Sequence, residues 1–216
     1  MRSRRRGSPP LTIALFVRHG QTPTTGKVLP GRARGLHLAE EGRAQAQRAA
    51  ERIAGLPRPP VAVYSSPLER ARETAAPIAR ALGQRVQIHR GLAEIDVGDW
   101  TGAELRQVSK SSQWWAVRHW PTGFRFPEGE SFREASARMT DLLVDLVDRH
   151  RGSTFVAVSH ADPIKAVVAA TAGLPLDLFQ RLVISPASIS ALGFGEDGPY
   201  VLCVNSTGSL SELAVS

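Results

Sequence analysis

Short apolar runs alternate with longer amphipathic stretches along most of the chain. A short run with no polar interruption is typical of a strand buried on both faces of a parallel sheet. Three runs have this character, and three weaker segments with apolar or β-branched residues are further predicted strands. The six predicted strands are Leu11–Val17, Val61–Tyr64, Val86–Ile88, Thr154–Val158, Ser188–Phe194 and Tyr200–Val204.

Helices are predicted between these strands from their apolar spacing and their start signals. One runs from about Glu40 to Ala54, with two acids in the first turn that suit the helix dipole. Ser66-Pro67-Leu68-Glu69 predicts a second helix, with Ser66 as the cap and Glu69 completing a capping box. Ser131 and Glu134 predict another capping box, ahead of a long helix with apolar residues three or four apart.

This alternation of strands and helices predicts an α/β fold, a three-layer α/β/α sandwich with a mostly parallel central sheet. Asp162-Pro163, directly after the fourth strand, predicts the start of one more helix. The sequence has no internal repeat and no clean domain boundary. The segment from Thr101 to Gly129 has no firm prediction.

The positive charge of the chain is concentrated at its start. The formal net charge is +7, and four of these charges lie within the first six residues, which leaves +3 for the rest. We expect residues 1–10 to be a disordered basic arm and residues 11–216 to form one domain. A mildly basic body does not require a polyanion, so no nucleic-acid partner is predicted.

Chain length, apolar content and cysteine content limit the kind of fold and the cellular location that are expected. The chain has 216 residues, 42% of them hydrophobic, which is enough for one core. No stretch approaches the ~18 consecutive apolar residues of a membrane span, so no membrane association is predicted. Cys203 is the only cysteine and cannot form an intrachain disulfide, and a cytoplasmic location is the default expectation.

Candidate chemistry lies where the predicted strands end. In "LFVRHGQT", an apolar strand ends directly in Arg18 and His19, and the fourth strand ends in His160. Arg70 lies in the first turn of the helix after the second strand, and Glu94 follows the third strand. Ligands of open α/β sheets bind beyond the carboxyl ends of the strands, so these five side chains are expected to converge.

Two arginines, two histidines and one carboxyl group suit phosphoryl transfer. Guanidinium groups pair bidentately with phosphate oxygens and stay charged. Neighbouring arginines lower the pKa of a histidine, which keeps its imidazole neutral and nucleophilic. A carboxyl group beside the leaving oxygen can donate a proton and later accept one from water.

Each residue also has a purely structural interpretation. A histidine at a strand end is often a surface group, and Arg70 has Glu69 and Glu73 nearby on its own helix. Glu94 can be a solvated loop acid. No acidic or thiolate residue stands at metal-site spacing beside the histidines, so no metal is predicted.

Five blocks in order resemble the histidine phosphatase superfamily, also called phosphoglycerate mutase-like. "LFVRHGQT" is similar to its Arg-His-Gly signature, and "SSPLERARETA" from Ser65 resembles its second block. "LAEIDVGDWTG" from Leu92, "PEGES" from Pro127 and "VSHADPIKA" from Val158 complete the series. The resemblance covers roughly residues 11 to 210.

The resemblance implies a phosphoglycerate mutase-like fold and a role for each candidate residue. His19 would be the nucleophile that becomes phosphohistidine, and Glu94 the proton donor. Arg18, Arg70 and His160 would hold the phosphoryl oxygens. It implies no cofactor and no metal, a small phosphorylated metabolite as the partner, and it leaves a homodimer open.

The sequence also departs from the family pattern. Thr25 stands where the family often has Asn beside the phosphate, and it keeps a hydroxyl for that contact. Ala39 stands near the position of a family Thr, which removes a helix cap.

Three functions remain open at this stage. The interpretation favoured is a metal-independent phosphatase acting on a small phosphate monoester, with a phosphoglycerate mutase second and a non-enzymatic phospholigand-binding module third. Between the Glu94 block and "PEGES" lies a compact segment that can either contact substrate or pack as a lid on its own aromatic residues. The substrate candidates in it are Trp114, Trp115, Arg118, Trp120 and Arg125.

Overall fold

The computed structural model describes residues 11–208. The predicted basic arm, residues 1–10, lies outside the described residues. The strands are β1 Thr12–Arg18, β2 Ala62–Ser65, β3 Val86–Ile88, β4 Thr154–Ser159, β5 Ile189–Gly195 and β6 Gly198–Ser206. The helices are α1 Glu40–Ala54, α2 Glu69–Ala81, α3 Leu105–Val108, α4 Ser112–His119, α5 Phe132–Arg149 and α6 Ala161–Thr171.

The six strands form one sheet in the order β3-β2-β4-β1-β5-β6. The first four in chain order are mutually parallel, and β5 is antiparallel to both of its neighbours. The predicted mostly parallel α/β sheet is therefore confirmed. Since β4 and β1 lie at the centre, the two histidines that follow them leave the sheet side by side.

Helices cover both faces of the sheet, as predicted for three layers. Along β1, Leu15 and Val17 pack with α1 and α2, whereas Ala14 and Phe16 pack with α5 and α6. Successive side chains of a strand point to opposite faces of the sheet, so the apolar residues of β1 contribute to the hydrophobic cores on both faces.

The two predicted capping boxes have different outcomes. The one at α5 is confirmed, because the Ser131 hydroxyl accepts from the Glu134 N–H and the Glu134 carboxylate accepts from the Ser131 N–H. The one at Ser66 is wrong. Helix α2 begins at Glu69, and the Ser66 hydroxyl instead contacts the Nε2 of His160.

The segment without a firm prediction contains two short helices and an aromatic cluster. The rings of Trp100 and Trp114 stack with centroids 6.3 Å apart, and Phe126 lies edge-on to Trp100. This cluster fixes α4 over the carboxyl ends of the strands. Within residues 11–208, no helix combines the length and apolar character needed to cross a membrane.

Candidate active site

The register of the two central strands brings His19 beside His160. Arg18 is paired with Ser159 in the parallel ladder, and each histidine is the next residue in its strand. The His19 N–H donates to the Ser159 carbonyl over 3.0 Å, and the two imidazole rings lie edge-on with centroids 5.1 Å apart. Residues 141 positions apart in the chain therefore form one pair at the sheet edge.

The imidazole of His19 is neutral, and its Nε2 is the nitrogen with the lone pair. Nδ1 lies 2.8 Å from the Gly20 carbonyl, which can only accept, so Nδ1 carries the proton. Burial lowers the pKa of His19 to about 3, and the charges of Arg70 and Arg18 add to the effect. The ring is thus neutral at neutral pH, with the lone pair of Nε2 free of a proton.

Guanidinium N–H groups without partners surround this ring. Arg18 donates from Nη1 to the Ile184 carbonyl, and fully buried Arg70 donates from Nη2 to the Gly31 carbonyl. The Nε of Arg18 and both Nε and Nη1 of Arg70 have no hydrogen-bond partner among the described residues. Buried donors in this state are costly unless an anion binds them.

The structural alternative, in which Arg70 pairs with Glu69 or Glu73 of its own helix, is not what the structure contains. The Glu73 carboxylate contacts His37 and accepts from the Leu38 N–H. Glu69 and Glu94 form no hydrogen bond with Arg70, and their negative charges act on its guanidinium only by Coulomb attraction. The guanidinium of Arg70 is consequently directed toward Gly31 and the His19 side of the site.

His160 offers a further donor. Its Nε2 lies 2.8 Å from the Ser66 hydroxyl, which also accepts the Leu68 N–H over 3.3 Å. Since that hydroxyl already accepts a hydrogen bond, its own proton suits Nε2, which leaves the ring proton on Nδ1. Burial, then the charge of Arg70, lowers the pKa of His160 well below its usual value, so the ring is neutral.

The carboxyl group of Glu94 faces the same space as these donors. Its Oε1 accepts from the Ile95 N–H over 3.0 Å, and its Oε2 lies 3.9 Å from the Nδ1 of His160, beyond hydrogen-bond reach. Burial, then the negative charge of Asp162, raises the pKa of Glu94 to about 7. Near neutral pH the group can both donate and accept a proton.

The loop after β1 is fixed by two close contacts. The Gly20 N–H donates to the Thr74 hydroxyl over 3.0 Å. A Cβ on Gly20 would lie 2.4 Å from the Gly42 carbonyl oxygen, so only glycine lets α1 approach this closely. Further along the loop, the Thr25 hydroxyl accepts from the Thr22 N–H over 2.8 Å.

These groups open into one cavity of about 410 Å³. Its inner end is lined by Arg18, His19, Thr25 and Glu94. Arg70 and His160 have no exposed surface but adjoin that end: the ring of His160 lies beside that of His19, and Arg70 donates to the carbonyl of Gly31, which lines the cavity. The structure thus brings all six sequence-predicted phosphate and catalytic candidates into one region.

The substrate candidates of the compact segment separate into two groups. Trp114 and Arg118 line the cavity. Trp115 stacks on His119 and is 60% exposed, because the two share one outward face of α4. Arg125 binds the Glu134 carboxylate and the Gly129 carbonyl on the outer surface.

Trp120 is directed away from the cavity as well. A Cβ on Gly123 would lie 2.5 Å from two carbons of the Trp120 ring, so the indole lies against this glycine, and it is 53% exposed. Trp115, Trp120 and Arg125 are therefore corrected from substrate candidates to surface side chains.

Comparison with known proteins identifies the family. The sequence model of the histidine phosphatase superfamily (branch 1) matches residues 14–207, nearly the whole chain. The chain belongs to this superfamily. The predicted phosphoglycerate mutase-like fold is confirmed by its similarity to solved structures.

Two solved structures of phosphatases are similar to this chain over most of its length. A mycobacterial glucosyl-3-phosphoglycerate phosphatase has a TM-score of 0.81 and 28% identity, covering 91% of this chain and 99% of its own. A phosphoserine phosphatase of Entamoeba histolytica, in complex with phosphoserine, has a TM-score of 0.82 and 27% identity, covering 92% and 99%.

Sequence relatives fall into two length classes. A bifunctional protein of Mycobacterium tuberculosis is 34% identical over 95% of this chain, but this chain spans only 56% of that relative's length. Phosphoserine phosphatase 1 of Hydrogenobacter thermophilus is 31% identical, covering 93% of this chain and 95% of its own. The chain thus spans little more than half the length of the bifunctional protein and nearly all of Phosphoserine phosphatase 1.

The site also contains residues that the sequence did not predict. Ser66 was assigned to a helix cap, although its place after a buried strand is also where site residues stand. Asp162 and Lys165 line the cavity and contact each other over 3.0 Å. Their spacing in "VSHADPIKA" is the i,i+3 signal that could have found them.

Across the described part of the chain, histidine, cysteine and acidic side chains form no group of three or more that could hold a metal ion. The prediction from the sequence that the reaction needs no metal is a matter for experiment.

Proposed function

We propose that this histidine phosphatase superfamily member hydrolyses small organic phosphate monoesters through a phosphohistidine on His19. The observation that carries the proposal is the set of buried guanidinium and imidazole donors of Arg18, Arg70 and His160 around one neutral imidazole. Such donors suit the three non-bridging oxygens of a phosphoryl group. The phosphatases among its relatives support the same reaction class.

In the first step, the Nε2 lone pair of His19 attacks phosphorus. The phosphorus–ester oxygen bond breaks, and the carboxylic acid of Glu94 gives its proton to that oxygen, so the alcohol leaves. Arg18 and Arg70 stay bound to the phosphoryl oxygens and stabilise the charge that they gain in the transition state.

In the second step, water attacks the phosphorus of the phosphohistidine. The Glu94 carboxylate takes a proton from that water, the phosphorus–nitrogen bond breaks, and its electron pair returns to Nε2. Inorganic phosphate leaves and both side chains are back in their starting forms. A pKa near 7 suits this exchange of roles, because neither protonation state of Glu94 is costly at neutral pH.

Substrate selection is assigned to the outer part of the cavity. Trp114 and Arg118 line it from α4, opposite Thr25 on the loop after β1. Among residues 11–208, Arg118 forms no ion pair. We expect its guanidinium to bind a carboxylate on the substrate, and the indole of Trp114 to contact the substrate's apolar portion.

A phosphoglycerate mutase is the second candidate function. A protein of Cronobacter sakazakii named "probable phosphoglycerate mutase" is 30% identical, covering 92% of this chain and 93% of its own. The two functions differ in the acceptor that receives the phosphoryl group from His19. Hydrolysis uses water, whereas a mutase returns the group to bound phosphoglycerate.

The discriminating experiment is phosphate release from a panel of metabolite phosphates, with isomerisation of 3-phosphoglycerate followed in parallel. The proposal expects phosphate release at a rate well above isomerisation, with and without a metal chelator. Isomerisation with little phosphate released would favour the mutase. Phosphate binding without turnover of any ester would favour a binding module.

A cytoplasmic location and a homodimer stay predictions from the sequence, which gives no role for the basic arm. Location, oligomeric state and the arm can be examined on the full chain, by fractionation, by sedimentation and by removal of residues 1–10.

A further inference from the structure

Two arginines and one carboxylate hold the segment that carries Glu94; we refer to Arg32, Glu130 and Arg138 as the arginine clamp. The Nε of Arg32 donates to the Glu94 carbonyl over 2.8 Å, and its Nη2 donates to Glu130 over 2.9 Å. The same carboxylate accepts from the Nε and Nη2 of Arg138 over 2.9 and 3.0 Å. Glu130 therefore joins two guanidinium groups that would otherwise repel each other.

The clamp reaches backbone groups on both sides of the acid. The Nη1 of Arg138 donates to the Gly91 and Ala93 carbonyls over 2.5 and 3.1 Å. The Glu130 carboxylate accepts from the Asp96 N–H over 3.2 Å, and the Glu130 N–H donates to the Asp96 carbonyl over 2.8 Å. Three linked side chains thus fix the segment before, at and after its reactive residue.

The clamp is also adjacent to the phosphate side of the site. Gly31, the residue before Arg32, accepts the Nη2 of Arg70 at its carbonyl over 2.8 Å. Gly31 has a φ of +47°, and a Cβ there would lie 2.6 Å from a Val97 methyl group. Gly31 and Arg32 therefore link two parts of the proposed site. Gly31 binds the guanidinium of Arg70, and Arg32 binds the backbone carbonyl of Glu94.

We propose that Arg32, joined through Glu130 to Arg138, is a positioning residue that sets the place of the Glu94 carboxyl group relative to the leaving oxygen. This inference rests on the proposed function, in which Glu94 protonates that oxygen. The clamp residues touch neither the phosphoryl group nor His19 in the mechanism. A proton donor works within about 2.6–3.2 Å, and a misplacement of about 1 Å costs on the order of 100-fold in rate.

The test compares two leaving groups in Arg32→Met, Glu130→Gln and wild-type protein. Glycerol phosphate leaves as an alkoxide that needs a proton, whereas p-nitrophenyl phosphate leaves as a stabilised anion. The quantity measured is kcat/KM, which includes the step in which the leaving group departs. Arg125→Met is the control, because Arg125 also binds a carboxylate and a backbone carbonyl, but on the outer surface. Arg32 has one further carboxylate contact, with its Nη1 3.5 Å from the Oδ2 of Asp96.

The positioning role predicts a selective loss. Arg32→Met and Glu130→Gln should lower kcat/KM for glycerol phosphate about tenfold or more and for p-nitrophenyl phosphate less than about threefold. Glu94→Gln should show the same selectivity more strongly, and Arg125→Met should change both values less than about twofold. Circular dichroism and thermal unfolding establish that each variant is folded.

Two other results would overturn the proposal. A proportional loss for both esters in folded variants would mean a general disturbance of the site, and failure of both variants to fold would make the clamp purely structural. If the wild type releases phosphate from neither ester, the proposed function itself falls, and this inference with it. If the wild type is active but the variants lose activity equally toward both esters, only the positioning role is ruled out and the proposed function stands.

Discussion

The Ser66 hydroxyl lies 2.8 Å from the Nε2 of His160, at the point where β2 and β4 leave the sheet side by side. Both residues are fully buried. This contact occupies the Nε2 of His160 and leaves its Nδ1 without a hydrogen-bond partner among the described residues, 3.9 Å from the Oε2 of Glu94. A residue that the sequence assigned to a helix cap thus contacts the imidazole of a candidate site residue.

Ser66→Ala should lower phosphatase activity beyond its effect on stability. Removing the hydroxyl leaves the Nε2 of a buried ring without its partner, at a cost of about 1–3 kcal/mol in unfolding free energy. Ser65→Ala is the control, since the Ser65 hydroxyl is equally buried but donates to the Ser66 carbonyl. We expect similar stability losses by urea unfolding and a roughly tenfold lower kcat/KM for Ser66→Ala only. Equal activities of the two variants would contradict this role of Ser66.

The pH dependence of kcat/KM should follow the protonation of Glu94. Its pKa is raised to about 7, so the acid form that donates a proton predominates below that pH and is lost above it. We expect kcat/KM for glycerol phosphate to fall as the pH rises through about 7. Glu94→Gln should remove this limb and lower kcat/KM by roughly 10²–10⁴. If kcat/KM of Glu94→Gln still decreased as the pH rises through about 7, a group other than Glu94 would be responsible for the pH dependence.

Inorganic phosphate should stabilise the protein through Arg70. A ligand that binds only the folded state raises the free energy of unfolding by about 2.7 kcal/mol at a hundred times its Kd. Thermal unfolding of the wild type should therefore shift upward with phosphate, and Arg70→Met should lose this shift. Arg52→Met, which affects contacts to Ser206, should keep it. An unchanged shift in Arg70→Met would remove Arg70 from the phosphate site.

Arg118 should determine selectivity for esters that also carry a carboxylate. 3-Phosphoglycerate and glycerol phosphate form a useful pair, because a carboxylate in the first replaces a hydroxymethyl group in the second. Loss of one hydrogen-bonded charge pair costs about 1.5–3 kcal/mol, so Arg118→Met should lower kcat/KM for 3-phosphoglycerate about tenfold. The value for glycerol phosphate should hold steady. A parallel decrease for both esters would rule out carboxylate recognition by Arg118.

The sequence predicted the parts of the fold that local patterns determine. The apolar runs of β1, β2 and β4 and the capping box at Ser131 depend on neighbours within a few residues, and the structure contains them. Ala39 at the start of α1 provides no side-chain cap within the described residues, also as expected. These features could be predicted because they depend on residues that are close together in the sequence.

What the sequence missed depends on contacts between distant residues. Ser66 binds His160 instead of capping α2 because the parallel register brings them together, and the adjacent serine and proline give no sign of this. Trp114 and Trp115 are neighbours with the same chemistry, yet helical geometry directs one to the cavity and the other to solvent. Arg32 and Glu130 meet across 98 positions.

The most direct test of the account is to detect the phosphoryl group on His19. The protein is mixed rapidly with radiolabelled p-nitrophenyl phosphate, the reaction is stopped in alkaline detergent, and the labelled peptide is mapped. The phosphohistidine mechanism predicts an alkali-stable, acid-labile label on the peptide containing His19 in the wild type, and none in His19→Ala. A label that withstands acid, or that persists in His19→Ala, would contradict it.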